Sequence, residues 1–208
     1  GGPRCRAESR DMLRETQDLS RPITDYWVST SHNTYLLGGQ FALTGGSVTA
    51  DTYRKFLLEG CRCVELDCYD ASTSNADPDE PVIYHLSERM AGGSVTVREV
   101  METVAAYAFR TSDLPVIVNV ENRMKRPETL RRFAKICRET LGAGLLRAPR
   151  QGEAASPPSP AQLRYRFLIR SKIHRDPPKE FERIVYFVNR SFKDLGPLRY
   201  PLDSTSIS

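Results

Sequence analysis

The chain has 208 residues, of which 39% are hydrophobic and 27% charged, and its formal net charge is +4. This composition is that of a globular protein, and it excludes a chain that is disordered throughout. No stretch approaches the roughly 18 unbroken apolar residues of a membrane span, and the N-terminus, GGPRCRAESRDMLRE, is polar, so we expect neither a membrane span nor a signal peptide.

Local patterns predict an alternation of strands and helices along the chain. The predicted elements are, in order, a strand at 26–31 that ends at His32, a helix at 49–58, strands at 61–68 and 81–85 on either side of a loop at 70–80, a helix at about 95–109, a strand at 116–122, a helix at 127–140, a strand at 166–172 and a helix at 179–191. The glycine after the first helix and the proline that opens the third are typical of helix boundaries.

This order of elements predicts an α/β fold built from parallel βαβ units. Four or five such strands make half of a (β/α)8 barrel of the TIM type, whereas a closed barrel usually needs about 250 residues. We therefore expect the N-terminal half of a barrel followed by the start of a second half. The Pro-, Ser- and Ala-rich tract at 148–161 predicts a surface connection.

Four consecutive predicted strands deliver polar, ionisable side chains at their C-terminal ends. In chain order these side chains are His32 and Asn33, Glu65 and Asp67, His85, and Glu121. In an α/β barrel this is the end at which active sites lie. Oxygen donors of this kind suit a hard cation such as Ca²⁺, and the two histidines supply acid–base or charge-stabilising capacity.

Each of these residues also has a purely structural explanation. A lone histidine after a strand is most often a hydrogen-bonded structural residue. The carboxylates of Glu65 and Asp67 could form ion pairs with Arg62 or Arg123 at a barrel mouth, since buried carboxylates need partners. The combination of such residues on four strands favours a site over these separate explanations.

Positive charge is concentrated in the middle of the chain. Residues 1–122 contain 11 Lys and Arg against 18 Asp and Glu, a net charge of −7, whereas residues 123–183 contain 16 against 6, a net charge of +10. This asymmetry favours an anionic partner, and nucleic acid, a phosphorylated small molecule and an anionic membrane all qualify; a solvated Arg-rich helix is the alternative. In the strand at 166–172, Arg170 and Lys172 share a face and could meet phosphate groups, or could be an exposed pair on an edge strand.

The five cysteines predict reduced, buried thiols. Their number is odd, their spacing is not that of a zinc site, and three of them fall within the strand at 61–68. Cysteine in such a run is usually a small apolar residue. We expect no disulfide framework and a cytosolic setting.

Several strings of the sequence resemble the X region of eukaryotic phosphoinositide-specific phospholipase C. They are DYWVSTSHNTYLLGGQ, GCRCVELDCYD, PVIYH, PVIVNVEN and, after the connector, LRYRFLIRSK. The resemblance covers roughly residues 11–175. It implies a domain organisation with a lead-in segment at 1–20, an X-type catalytic half-barrel at 21–175 that contains the connector, and an incomplete Y-type half at 176–208.

The resemblance also implies a function and a set of site residues. The family hydrolyses inositol phospholipids such as phosphatidylinositol 4,5-bisphosphate to diacylglycerol and inositol phosphate in intracellular signalling, with a catalytic Ca²⁺. By motif, His32 and His85 match the catalytic histidines, and the calcium ligands correspond to Asn33, Glu65, Asp67 and Glu121. Arg170 and Lys172 fall where the family has two lysines that hold ring phosphates. The family further implies a cytoplasmic enzyme that works peripherally at the inner membrane surface, with no nucleic-acid partner.

The family mechanism assigns roles to these groups. The substrate's own 2-hydroxyl attacks the phosphorus, Glu65 or Glu121 takes its proton, His32 stabilises charge on the phosphoryl oxygens, and His85 protonates the departing diacylglycerol oxygen.

Three departures from the family pattern keep alternatives open. The stretch after His85 is about two residues longer than in the family, Arg170 replaces a lysine, and the Y half is nearly absent. The alternative to an active phospholipase is therefore a catalytically crippled module that binds phosphoinositides or acts as a scaffold. A third hypothesis is another phosphodiesterase on the same kind of barrel, such as a glycerophosphodiesterase. The string His32-Asn33-Thr34-Tyr35 fits the phospholipase pattern better.

Overall fold

The computed structural model describes residues 17–39, 46–71, 77–85, 93–148, 157–191 and 203–206. Within them, the strands are β1 (Leu36–Leu37), β2 (Ser47–Val48), β3 (Cys63–Asp70), β4 (Pro81–Ile83), β5 (Val95–Thr96), β6 (Val116–Asn122), β7 (Phe167–Ser171), β8 (Val185–Ser191) and β9 (Asp203–Ser206). Strands β1 and β2 form a small antiparallel sheet, and a larger sheet has the strand order β5-β4-β3-β6-β7-β8-β9.

Helices connect the parallel strands of the larger sheet. They are α1 (Asp51–Leu58), α2 (Val97–Tyr107), α3 (Pro127–Leu141) and α4 (Lys179–Glu182), with short 3₁₀ turns at Ile23–Asp25 and Gly142–Gly144. The five strands β3, β6, β7, β8 and β9 pair in parallel. This is the arrangement of a partial α/β barrel, and it confirms the predicted fold class.

The helices begin and end where local chemistry dictates. The Thr96 side chain caps α2 by accepting a hydrogen bond from the Glu99 N–H at 3.1 Å. Gly60, with φ of +99°, follows the end of α1 in a conformation that favours glycine. The buried Arg62 guanidinium donates to the Leu57 and Ala108 carbonyls, which lie at the ends of α1 and α2. Arg62 therefore contributes to holding two helix ends.

The main core lies between one face of the sheet and the helices. Its largest fully buried members include Tyr53, Leu66, Phe133, Ile136 and Phe181. The opposite face of the sheet carries a second, smaller cluster around Leu168 and Phe187. The buried residues include Cys61, Cys63, Cys68 and Cys137, which are free thiols as predicted, while Cys5 lies outside the described residues.

The structure corrects three of the predicted elements. Residues 185–191 form strand β8 and not the second part of a helix at 179–191. Their run of valine and aromatic side chains suits a strand buried on both faces, which periodicity cannot distinguish from a helix. The predicted first strand at 26–31 contributes only one bridge, between Thr30 and Cys63. Strand β4 pairs antiparallel with β3 and is not a parallel barrel strand.

Candidate active site

On the sheet face opposite the helices, called the inner face below, polar side chains form rows across neighbouring strands. In the parallel register of β3, β6 and β7, Glu65 lies beside Asn119, and Asn119 lies beside Arg170. One step nearer the C-terminal ends, Asp67 lies beside Glu121. Because parallel strands in register direct neighbouring residues to the same side, these groups share one face, the face opposite the helices.

A tight turn joins the first extended segment to the carboxylate of Glu65. Asn33 has a φ of +47°, a left-handed conformation that asparagine tolerates better than most residues. Its backbone N–H donates to Glu65 Oε2 at 2.7 Å. The Glu65 N–H in turn donates to Thr34 Oγ1 at 2.9 Å, and the Asn119 amide donates to Glu65 Oε1 at 3.1 Å. Glu65 is therefore fixed from both sides and only 7% exposed.

The two histidines lie on either side of this turn. His32 Nε2 is 3.8 Å from Glu65 Oε2, and 82% of its side chain is exposed to solvent. His85 Nδ1 is 3.3 Å from the hydroxyl of Tyr35, which also donates to Asn33 Oδ1 at 2.9 Å. The structure thus connects both histidines to the segment that carries Asn33.

His85 reaches this position by a route that the sequence did not predict. Because β4 is antiparallel, its first residue, Pro81, lies opposite Asp70, and the strand runs back along β3. The residues that follow Ile83 are therefore brought towards the middle of β3, where Glu65 and Asp67 lie. The longer stretch after His85, which the sequence singled out, lies outside the described residues.

Burial makes Asp67 the most perturbed carboxylate of the group. The residue is 7% exposed, and its Oδ1 is buried with no hydrogen-bond partner among the described residues. Burial raises the pKa of Asp67 to about 6, the charges of Glu121 and Glu65 act in the same direction, and the Tyr35 hydroxyl and the Arg123 guanidinium oppose them. An orphaned buried carboxylate oxygen beside other oxygen donors is a chemical fit for a hard cation.

Glu121 lies on the shared face but is paired differently from the other carboxylates. Its Oε2 accepts a hydrogen bond from Arg123 at 2.9 Å, and 39% of its side chain is exposed. Arg123 thus pairs with Glu121, whereas the sequence suggested it as a partner for Glu65 or Asp67. In the described part of the chain, no group of three or more His, Cys, Asp and Glu side chains is arranged to hold a metal ion. The four-ligand calcium site therefore stays a prediction.

The two basic residues lie beside the carboxylate rows. Arg170 approaches Asn119 Oδ1 with its guanidinium at 3.5 Å. Lys172 is exposed and lines a groove of about 370 Å³ together with Glu121, Arg123 and Asn189. A phosphorylated ligand in this groove would meet cations and carboxylates from adjacent strands.

Sequence reasoning missed Tyr35 as a member of the site. Its ring is fully buried in the core, and burial, followed by the charge of Asp67, raises the pKa of its hydroxyl well above the usual range. The hydroxyl therefore keeps its proton. The sequence signal that could have found it is its position two residues after Asn33, next to a predicted strand end. A tyrosine at such a position is also typical of an ordinary core residue.

Comparison with known proteins places these residues within a matched segment. Residues 19–173 match the family model described as phosphatidylinositol-specific phospholipase C, X domain. The chain is 38% identical over 168 residues to the mouse (Mus musculus) 1-phosphatidylinositol 4,5-bisphosphate phosphodiesterase beta-1, an alignment that covers 79% of this chain and 13% of that relative.

Solved structures of similar proteins share the architecture. PLC21 of L. pealei aligns with a TM-score of 0.69 and 25% identity over 84% of this chain and 27% of its own. PLC21 of S. officinalis aligns with a TM-score of 0.65 and 32% identity over 79% of this chain and 20% of its own. The chain therefore spans only a small part of the length of the proteins that it resembles.

Proposed function

The chain belongs to the X-domain family of phosphatidylinositol-specific phospholipases C, and from this premise we propose that it forms the X-type half of a calcium-dependent phosphodiesterase. The proposed substrate is an inositol phospholipid of the phosphatidylinositol 4,5-bisphosphate type, the compound in the name of the mouse relative. The observation that supports this most strongly is that both histidines lie beside the Glu65 and Asn33 turn, near a buried carboxylate oxygen that has no hydrogen-bond partner among the described residues.

The oxygen atoms of Asn33, Glu65, Asp67 and Glu121 are the ligands proposed for Ca²⁺. All four are hard donors, and Asp67 Oδ1 is a buried oxygen that gains from a cation. A bound Ca²⁺ would neutralise negative charge that develops on the phosphoryl oxygens and lower the pKa of the attacking hydroxyl. Glu65 is already oriented for this role by its bonds to Asn33 and Asn119.

The protein's own groups carry the protons in the proposed reaction. The 2-hydroxyl of the inositol ring forms a bond to phosphorus, and its proton passes to Glu65 or Glu121. His32, exposed at the mouth, stabilises the phosphoryl oxygens. The bond between phosphorus and the diacylglycerol oxygen breaks, its electron pair stays on that oxygen, and His85 supplies the proton. Water then opens the cyclic phosphate.

Arg170 and Lys172 are proposed to hold the ring phosphates. Arg170 lies on β7 beside Asn119, and Lys172, two residues further along and just past the strand, lines the groove with Glu121. Their positive charge is appropriate for phosphate groups, which arginine can bind with two parallel hydrogen bonds. The +10 charge of residues 123–183 is consistent with an anionic ligand.

Three parts of the proposal concern the protein beyond this site. Because the chain spans 13% of the mouse relative's length, we propose that a Y-type half completes the barrel, with residues 21–175 as the X-type unit and 176–208 as the start of the Y-type half. None of the helices in the described part of the chain combines the length and apolar character that crossing a bilayer requires. The proposed location is the cytoplasm, at the inner membrane surface.

The test is turnover of vesicle-bound phosphatidylinositol 4,5-bisphosphate by this chain within a polypeptide that supplies a Y-type half. We expect diacylglycerol release that depends on added Ca²⁺ and that is lost in His32→Ala and His85→Ala. Release that persists in a calcium chelator would contradict the calcium-dependent mechanism.

One observation favours a second candidate function, that of a non-catalytic module that binds phosphoinositides. The ion pair of Glu121 with Arg123 engages one of the four proposed ligands. If this pair persists in solution, phosphoinositide vesicles should bind through Arg170 and Lys172 without Ca²⁺ and without turnover. Binding that requires Ca²⁺ would exclude this candidate.

A further inference from the structure

Tyr35 connects the core of the protein to both sides of the site. Its ring is completely buried among the residues under the sheet. Its hydroxyl nevertheless reaches Asn33 Oδ1 at 2.9 Å and His85 Nδ1 at 3.3 Å. A buried tyrosine needs only one partner for its hydroxyl, so the second contact calls for an explanation.

The hydrogen-bonding capacity of a phenol decides which nitrogen of His85 carries a proton. The Tyr35 hydroxyl has a single proton, and it donates this proton to Asn33 Oδ1. The Asp67 carboxylate, a second interaction partner of the hydroxyl, is also an acceptor. If either oxygen receives the proton, none remains for His85, and the 3.3 Å contact with Nδ1 is then a hydrogen bond only when Nδ1 itself is protonated and donates.

The position of the hydroxyl is fixed by the fold. The Thr49 N–H donates to the Tyr35 carbonyl at 2.9 Å, and the Leu36 N–H donates to the Asn33 carbonyl at 2.9 Å. The ring has no exposed surface and cannot change rotamer without opening the core. The hydroxyl is therefore a fixed acceptor to which the more exposed His85 ring must orient.

We propose that Tyr35 is a positioning residue whose hydroxyl holds His85 in the Nδ1-protonated tautomer and thereby makes Nε2 the nitrogen that exchanges the proton. The inference rests on the proposed role of His85 as the general acid. In that role, the imidazolium gives its Nε2 proton to the departing diacylglycerol oxygen while the Nδ1–H bond to Tyr35 is retained. The histidine then returns to its neutral form without rotating.

The test is ¹⁵N NMR of the histidine side chains in the 208-residue chain, above the pH at which they titrate. The three histidines give three sets of signals, which His32→Gln and His174→Gln identify by their loss. We expect neutral His85 to be protonated mainly on Nδ1, and in Tyr35→Phe to shift to mainly Nε2. The matched control is Tyr53→Phe, which removes another buried hydroxyl, bonded to the Glu65 carbonyl at 2.7 Å, and should leave the His85 tautomer unchanged.

Two results would overturn the inference: a wild-type His85 that is protonated mainly on Nε2, or the same tautomer in Tyr35→Phe as in wild type. The first result is decisive even if Tyr35→Phe does not fold.

Kinetics distinguish this inference from the proposed function. In a polypeptide with a complete barrel, Tyr35→Phe should lower kcat about 10–100-fold with little change in KM, as for other residues that orient a reacting group. If the tautomer shifts but neither Tyr35→Phe nor His85→Ala lowers kcat, the general-acid role of His85 is wrong and the tautomer assignment stands.

Discussion

The two faces of the main sheet differ in composition and in how far they are covered. Strand β6 shows this most clearly, since its side chains alternate between buried residues on the helix side and partly exposed residues on the inner side: Val116, Val118 and Val120 against Ile117, Asn119 and Glu121. The helix side is mainly apolar and buried, whereas the inner side carries the carboxylates of the candidate site together with Asn119 and Arg170. The residues that stabilise the fold and the residues proposed for catalysis thus lie on opposite faces of the same strands. Substitutions on the two faces should therefore differ in their effects on stability and on turnover.

The largest effect is expected from the helix side of the sheet. Phe133 is fully buried between sheet and helices and packs edge-on against Phe181 at 5.8 Å between ring centroids. Phe133→Ala leaves a cavity and should lower the free energy of unfolding by about 3–5 kcal/mol, as measured by urea denaturation. The control is Trp27→Ala, which removes a fully exposed aromatic side chain and should change stability by less than about 0.5 kcal/mol. Equal losses would contradict the division between the faces.

On the inner face, a substitution of Glu65 should change turnover far more than stability. Glu65→Gln keeps the shape of the side chain but removes the charge and the ability to accept a proton. We expect turnover of phosphatidylinositol 4,5-bisphosphate to fall by about 10²–10⁴-fold in a polypeptide with a complete barrel, with a loss of stability smaller than that of Phe133→Ala. Glu139→Gln, which neutralises an exposed carboxylate on α3, is the control. A Glu65→Gln protein that unfolds early and turns over normally would reverse our assignment.

The sequence predicted most of what lies on each face, but not the direction of β4 or the type of the element at 185–191. The alternation in residues 116–122 and the spacing of Glu65 and Asp67 were sufficient to assign these residues to a face. A strand has only two faces, and the parallel register places neighbouring residues on the same one. The direction of β4 was not predictable, since three residues of apolar sequence fit an antiparallel hairpin as well as a parallel strand. The helix predicted at 179–191 was wrong in its second part for a related reason, because the run at 185–191 is a strand with buried residues on both faces and such a run has no period.

The sequence names the candidate site residues one by one, but it does not predict the contacts between them. A motif identifies His32, Asn33 and His85 as polar residues at strand ends. It does not reveal that a buried hydroxyl joins the second and third of them. Nor does it distinguish Glu121, which pairs with Arg123, from Asp67, whose Oδ1 is left without a partner among the described residues. Such differences depend on rotamers and burial, which sequence spacing does not determine.

On the inner face, Asp67 should make the stability of the protein depend on pH. Its pKa of about 6 lies above the ordinary value of 3.8. Between pH 4 and 6 the folded chain therefore binds more protons than the unfolded chain, so stability falls as pH rises and is lowest above pH 6. The loss amounts to about 3 kcal/mol at most.

The measurement is urea denaturation in a calcium chelator at several pH values, with Asp67→Asn beside wild type. Because asparagine does not titrate, the variant should gain stability relative to wild type as pH rises from 4 to 7. Adding Ca²⁺ at pH 7 should stabilise wild type and not the variant. A stability difference that is constant with pH would show that the Asp67 carboxylate titrates as it does in water.

The smallest effect is expected at Arg170, where this chain departs from the lysine of the family pattern. The guanidinium approaches Asn119 Oδ1 at 3.5 Å and lies beside the Glu65 row, where a ring phosphate is proposed. Arg170→Lys keeps the charge and loses the two-pronged geometry, so we expect KM for phosphatidylinositol 4,5-bisphosphate to rise by less than about tenfold while kcat is maintained. Arg170→Met removes the charge as well and should raise KM by about 10–100-fold, since a hydrogen bond to a charged group contributes about 1.5–3 kcal/mol. Phosphatidylinositol without ring phosphates supplies the internal comparison, because its turnover should be equal in all three proteins. If Arg170→Met impairs both lipids equally, the residue supports the inner face structurally and does not contact a ring phosphate.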